Sequence, residues 1–136
     1  LMPMNKWRDQ GIGVGVATDI GGGTSYSMLQ NMAEAYKISM LLGHKYSAHE
    51  LFYMATNGNA GIVHREDEIG QIKAGYMADL IVLDPWATDV LAARQALSQT
   101  LEDCLFSLMF MGDDRTVSAT FVAGELIDFS DEHEAR

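Results

Sequence analysis

Ile12-Gly13-Val14-Gly15-Val16-Ala17, running on into Thr18-Asp19-Ile20-Gly21-Gly22-Gly23-Thr24-Ser25, is the stretch from which the fold of this chain is read. Its first six residues are small and apolar on both faces, the pattern of a strand buried on both sides as in a parallel sheet. Asp19 and a run of glycines follow at once, and glycine serves where the backbone must turn sharply. Thr24 or Ser25 then offers a side-chain oxygen to cap a helix. Beyond them Met28, Leu29, Met32, Ala35, Tyr36, Met40 and Leu42 recur at helical steps, which predicts one amphipathic helix over 26–42, ended by Gly43. Strand, glycine-rich turn and helix in this order make a unit of an α/β fold.

Downstream, Ser47-Ala48-His49-Glu50 is a capping-box sequence and predicts a second helix through about Thr56, after which Asn57-Gly58-Asn59 reads as a break. Residues 68–75 read as a short strand and turn, and residues 78–85 as a strand stopped by Pro85. Leu101, Leu105, Leu108 and Met109 predict a helix over 101–111, with Gly112 behind it. Residues 116–121 alternate as a strand does, and 122–127 read as a turn into a last strand. The character of the elements changes between about Gly61 and Ile69. The expectation is a first unit over 1–66, a second over 67–129 with an inserted helix, and an acidic, frayed tail over 130–136.

Composition narrows the function. Nine Lys and Arg stand against nineteen Asp and Glu in 136 residues, a formal charge of -10 that repels polyphosphates, so no nucleic-acid partner is expected. The single cysteine, Cys104, allows no intrachain disulfide and fits a reducing compartment, so a cytoplasmic location is the expectation. The opening Leu1-Met2-Pro3-Met4 lacks the basic and apolar regions of a secretory signal, and no apolar run is long enough for a membrane span.

Asp19 stands out among candidate functional residues, because α/β folds place their chemistry just beyond the carboxyl ends of parallel strands. The alternative is an ordinary Asp in a turn or cap. Gly21-Gly22-Gly23-Thr24 has neither the lysine of a phosphate-binding loop nor the spacing of a dinucleotide fingerprint. His44, His49, His64 and His133 form no closely spaced pair, and a spacing of five does not set His44 and His49 on one helical face. His64-Arg65-Glu66-Asp67 reads as a solvated charged turn, and Cys104 and most methionines as core.

The run Val14 to Gln30, continuing through Glu34-Ala35-Tyr36-Lys37, closely resembles the last barrel strand and following helix of the guanine deaminases, in the metal-dependent amidohydrolase superfamily. The superfamily's general pattern has only Thr-Asp or Ser-Asp at that strand end; the glycine run, Thr24-Ser25 and the Glu34-Ala35-Tyr36-Lys37 continuation are guanine-deaminase-like. Ile69 to Gly75 with Ala78 to Asp84 resembles the superfamily's tail motif, and Gly112 to Arg115 and Thr120 to Gly124 are again similar to guanine deaminases. The resemblance extends to about Phe129.

What it implies is a C-terminal fragment of a TIM-like (β/α)8 barrel with part of a small β-sandwich subdomain. It implies a divalent metal, zinc, held by histidines on upstream strands and by an aspartate after the last strand, whose counterpart here is Asp19. Asp19 would then be both metal ligand and proton shuttle in the hydrolysis of guanine to xanthine and ammonia, while the groups that read the purine lie upstream. Leu1 in place of an initiator Met supports a chain entered in the middle, and a closed barrel takes about 250 residues. The chain alone is therefore expected to bind no stoichiometric zinc and to be inactive. Its unpaired strand predicts a homo-oligomer or a complex with the upstream segment. Two alternatives stay open: an amidohydrolase deaminating another ring, such as a pterin, cytosine or triazine, and a noncatalytic assembly module.

Overall fold

A computed structural model of the chain describes residues 1–128; the acidic tail expected over 130–136, and His133 with it, lie outside the described residues. Six helices, α1 (Met4–Asp9), α2 (Met28–Leu41), α3 (Ala48–Ala55), α4 (Asn57–Ile62), α5 (Asp89–Gln95) and α6 (Leu101–Met111), accompany three strands, β1 (Leu80–Leu83), β2 (Val117–Val122) and β3 (Glu125–Leu126). The helices start where side chains replace missing backbone partners. Ser27, rather than Thr24 or Ser25, caps α2 by accepting from the Gln30 N–H at 3.3 Å. Ser47 and Glu50 form the expected capping box on α3, and Thr100 and Asp103 form another on α6. Thr88 caps α5, a helix the apolar spacing did not signal.

Residues 12–17, expected as a strand buried in a parallel sheet, form no strand among the described residues. A strand is defined by its ladder, and here the backbone is met by helices instead. The Val16 N–H donates to the Met54 carbonyl at 3.1 Å, and the Asn59 side-chain amide donates to the Val16 carbonyl at 2.8 Å. Two further expectations are corrected. Residues 68–75 hold turns rather than a strand, since Gly70 and Gly75 take φ of 86° and 91°, which no ladder accommodates. Asn57-Gly58-Asn59 does not end the helical region. The break falls one residue earlier, at Thr56 (φ -127°, ψ -100°), and α4 begins at Asn57.

The core forms where α2, α3 and α6 meet. Leu29, Met32 and Ala33 of α2, Leu51 and Met54 of α3, and Met109 of α6 form one buried cluster with Val16 and Tyr46. Each such Leu or Met contributes about 1.5–3 kcal/mol by leaving water. Tyr36 meets Phe106 edge-on at 5.2 Å, and Phe106 stacks on Phe110 at 4.6 Å, which fixes the crossing of α2 and α6. The segment between β1 and β2 thus leaves the sheet and packs on the N-terminal helices.

The sheet is antiparallel in the order β1-β2-β3, with Leu80 opposite Phe121, Val82 opposite Ala119 and a bulge between Val82 and Leu83. Ala123 and Gly124, at φ 51° and 85°, make the tight turn from β2 to β3, and the Asp79 carboxylate accepts the Ala123 N–H at 2.7 Å. No helix among the described residues is long and apolar enough to cross a membrane.

One carboxylate joins α6 to α3. Glu102 accepts the N–H groups of Ala48 at 2.7 Å and His49 at 3.2 Å, and also meets the His49 ring, so an α6 side chain caps the positive end of α3. Burial pushes the Glu102 carboxyl up, but the two N–H groups and His49 outweigh it and hold the carboxyl below its ordinary value of 4.5. A folded-state pKa below the unfolded one gives stability that is present above the unfolded value and lost as pH falls through the folded one. Glu102→Gln should therefore cost about 1 kcal/mol near neutral pH, a charged hydrogen bond discounted for solvent exposure. Urea unfolding of both forms should show that difference shrinking as the pH drops below 4.5.

Candidate functional site

Asp19 stands where the segment packed on α3 and α4 turns away from it. Its backbone has φ 49°, a left-handed conformation that Asp tolerates better than most residues. The Asp19 carbonyl accepts the N–H groups of Gly22 at 2.9 Å and Gly23 at 2.5 Å, which closes a tight turn. At Gly23 glycine is required for lack of space. A Cβ on Gly23 would lie 1.9 Å from the Thr18 carbonyl oxygen, and one on Gly22 would lie 2.8 Å from the Asp19 Oδ2. The Asp19 side chain is therefore folded over bare glycine backbone. Beyond the turn, the Ser25 carbonyl accepts from the Asn31 side chain at 3.1 Å, and the Ser25 hydroxyl lies 2.6 Å from Gln30 Oε1, anchoring the turn to the first turns of α2.

The electrostatics of the site are simple. Asp19 is exposed, and among the described residues its carboxylate makes no hydrogen bond or ion pair. Both oxygens are thus available to an incoming group, the arrangement a proton acceptor or a cation ligand needs. Among the described residues, no three or more His, Cys, Asp or Glu side chains gather in a metal-holding group.

The other residues singled out by sequence are dispersed. His49 is bound to Glu102 at the start of α3. His44 packs edge-on against Tyr46 at 4.4 Å. His64, at φ 55°, ends α4 in an exposed turn where Arg65 pairs with Glu68, the charged surface turn expected of that stretch. Cys104 is half-buried on α6, its carbonyl accepting from the buried Gln95 amide at 3.1 Å. Asn59, with no titratable group or motif to mark it, escaped the sequence reading. The alternation of glycine in Gly13-Val14-Gly15 was the signal that something would approach this segment closely.

The family model for the amidohydrolase family matches residues 1–127. This chain belongs to the amidohydrolase family. Within that family it is 42% identical over 127 residues to the guanine deaminase of Escherichia coli (strain K12), covering 93% of this chain and 29% of that protein. The solved structure of E. coli guanine deaminase matches with a TM-score of 0.91 at 41% identity, over 94% of this chain and 30% of that one. A guanine deaminase from C. acetobutylicum, solved with guanine bound in its active site, matches at 0.73 and 27% identity, over 94% of this chain and 30% of that one. A zinc-bound adenosine deaminase from Xanthomonas campestris shares the fold at 0.76 and 19% identity, over 98% of this chain and 31% of that one. This amidohydrolase chain thus spans about 30% of the length of its relatives.

The glycine turn of this amidohydrolase chain is open to a direct test. Gly23→Ala places a methyl against backbone that cannot move without reshaping the Asp19 turn, and should cost about 1–3 kcal/mol. Gly61→Ala, on α4 with no atom within 4 Å of the new methyl, should instead be neutral or stabilise by about 0.5–1 kcal/mol. Calorimetric unfolding of the two variants in parallel measures the contrast.

Proposed function

We propose that the full protein is a guanine deaminase, hydrolysing guanine to xanthine and ammonia, and that Asp19 is its proton-transferring carboxylate. The observation that carries this is the Asp19 side chain itself: exposed, without a partner among the described residues, and lying over glycine three residues beyond the buried Val16. The 42% identity to the E. coli enzyme, extending over 93% of this chain, supports guanine as the substrate.

In this reading water adds to the ring carbon that bears the exocyclic amino group. An oxygen of Asp19 takes the proton the water loses as the C–O bond forms, and returns it to the departing nitrogen as the C–N bond breaks, so that ammonia leaves and the carboxylate is regenerated. A positioned proton acceptor of this kind contributes about 100- to 10,000-fold to a rate. The Asp19 turn serves this by holding the backbone that carries the carboxylate without consuming its oxygens.

A divalent metal, zinc, fits the same residue, because an uncommitted carboxylate is an anionic oxygen donor of the kind such cations take. When bound, it supplies a lowered pKa for water. Asp19 would be the ligand contributed by this chain, and the rest of the set would come from residues beyond those described. Residues 12–41 would be the last strand and helix of a (β/α)8 barrel, and β1–β3 part of a small β-sandwich beside it. On this reading the protein would act in the cytoplasm, as a homo-oligomer.

Asp19→Asn keeps the shape of the side chain and removes its ability to accept the proton. Xanthine formation by the full-length variant should fall about 100- to 10,000-fold, with the thermal unfolding profile unchanged. Near-normal turnover would take Asp19 out of the chemistry. Assaying the unsubstituted protein against guanine, a pterin, cytosine and an amino-triazine would identify the ring it acts on.

A further inference from the structure

We propose that Asn59, on α4, is a positioning residue for this reaction: its amide holds the segment that carries Asp19 and thereby sets where the Asp19 carboxylate stands. The inference rests on the reading of Asp19 as the proton-transferring group.

Val16 is only 6% exposed, and its carbonyl receives its hydrogen bond from Asn59 Nδ2 at 2.8 Å. Left without a donor, such a buried carbonyl would cost about 1–3 kcal/mol. The Val16 N–H is taken by the Met54 carbonyl at 3.1 Å, so both backbone groups of this residue are held from the adjoining helices α3 and α4. The chain is shaped to receive the amide. A Cβ on Gly15 would stand 1.7 Å from Asn59 Oδ1, so any side chain there would expel Asn59 from its place. One turn along α4, Ile62 seats against Gly13 in the same way, at 2.8 Å from where a Cβ would be.

Asp19 follows three residues after Val16, a span of roughly 10–11 Å at most. On its other side the turn is closed by the bonds from Gly22 and Gly23 to the Asp19 carbonyl. The backbone that carries the carboxylate is therefore held on both sides, and Asn59 secures the upstream point. Asn59 has no part in the proton transfer itself. A displacement of about 1 Å is enough to slow a reaction that depends on a positioned group, while substrate binding through other residues continues.

The test is steady-state kinetics with guanine on the full-length protein, comparing Asn59→Ala, Gly15→Ala, the double variant and Asp19→Asn. Asn59→Ala should lower kcat roughly 10-fold with KM within about twofold, the split expected of lost positioning rather than lost binding. Gly15→Ala should do the same by pushing the amide out. The double variant should be no slower than the slower single one, because removing the amide vacates the space the methyl needs; independent structural damage would instead multiply. A kcat within about twofold of the unsubstituted protein in Asn59→Ala, or multiplied losses in the double variant, overturns the proposal. Should Asn59→Ala fail to fold, Gly15→Ala decides the matter by the same kcat-against-KM split. If Asp19→Asn is fully active, the functional reading fails and takes this inference with it. If Asp19→Asn is inactive while Asn59→Ala and Gly15→Ala both keep full kcat, only the inference fails.

Discussion

The close seat of residues 13–16 on α3 and α4 is the constraint on which the arrangement turns. Gly13 and Gly15 have no side chain because Ile62 and Asn59 occupy the space one would fill. Val16, between them and the Asp19 turn, gives its N–H to α3 and receives a donor from α4. That contact needs α4 to leave α3 at an angle, which Thr56 supplies by departing from helical geometry. It also needs Gly70, whose φ of 86° and lack of Cβ let the following loop cross Asn57 and Ala60 closely. Small residues here serve close approach, and the polar amide of Asn59 replaces a ladder partner.

Charge is used locally in the same spirit. A chain of formal charge -10 repels itself, yet several of its carboxylates are committed to backbone N–H groups at helix starts. The Ser47 N–H holds the Glu50 carboxyl low, and hydrogen bonds from the Thr100 side chain and the Gln99 backbone do so for Asp103. Arg115 holds Asp113 low beside the short turn of helix ahead of β2. Each of these groups favours the folded chain while it is ionised, so acid loosens the helix starts together. Glu102 differs in reaching across to another helix, which makes the α3–α6 contact electrostatic as well as apolar.

Against this background the Asp19 carboxylate, at the start of its turn, caps nothing. Its oxygens remain uncommitted while its backbone does the work of closing the turn. The chain belongs to the amidohydrolase family and is similar to guanine deaminases, and the proton-transfer role we propose for Asp19 draws on that likeness. The physical features behind that proposal are a tight, glycine-lined turn, an unpaired acid, and the buried Val16 three residues before it.

Local pattern was enough for those parts of the molecule governed by residues near one another in sequence. The capping box at Ser47–Glu50, the apolar rows of α2 and α6, the turn into β3 and the glycine run after Asp19 could all be read because propensity, capping and periodicity act over a few residues. Asp19 could be singled out for the same reason, as an acid at the end of an apolar run. What only the tertiary structure decided is whatever depends on a distant partner. Residues 12–17 have the composition of a strand, but a ladder needs a neighbour, and helices met this backbone instead. The packing of α6 on α2 and α3 arose because Met109 and Phe106 found their apolar partners some seventy residues away, a distance over which no periodicity reports. The seat of Asn59 was likewise invisible in the chain, since an amide carries no signal of its own until the fold brings a buried carbonyl within reach of it.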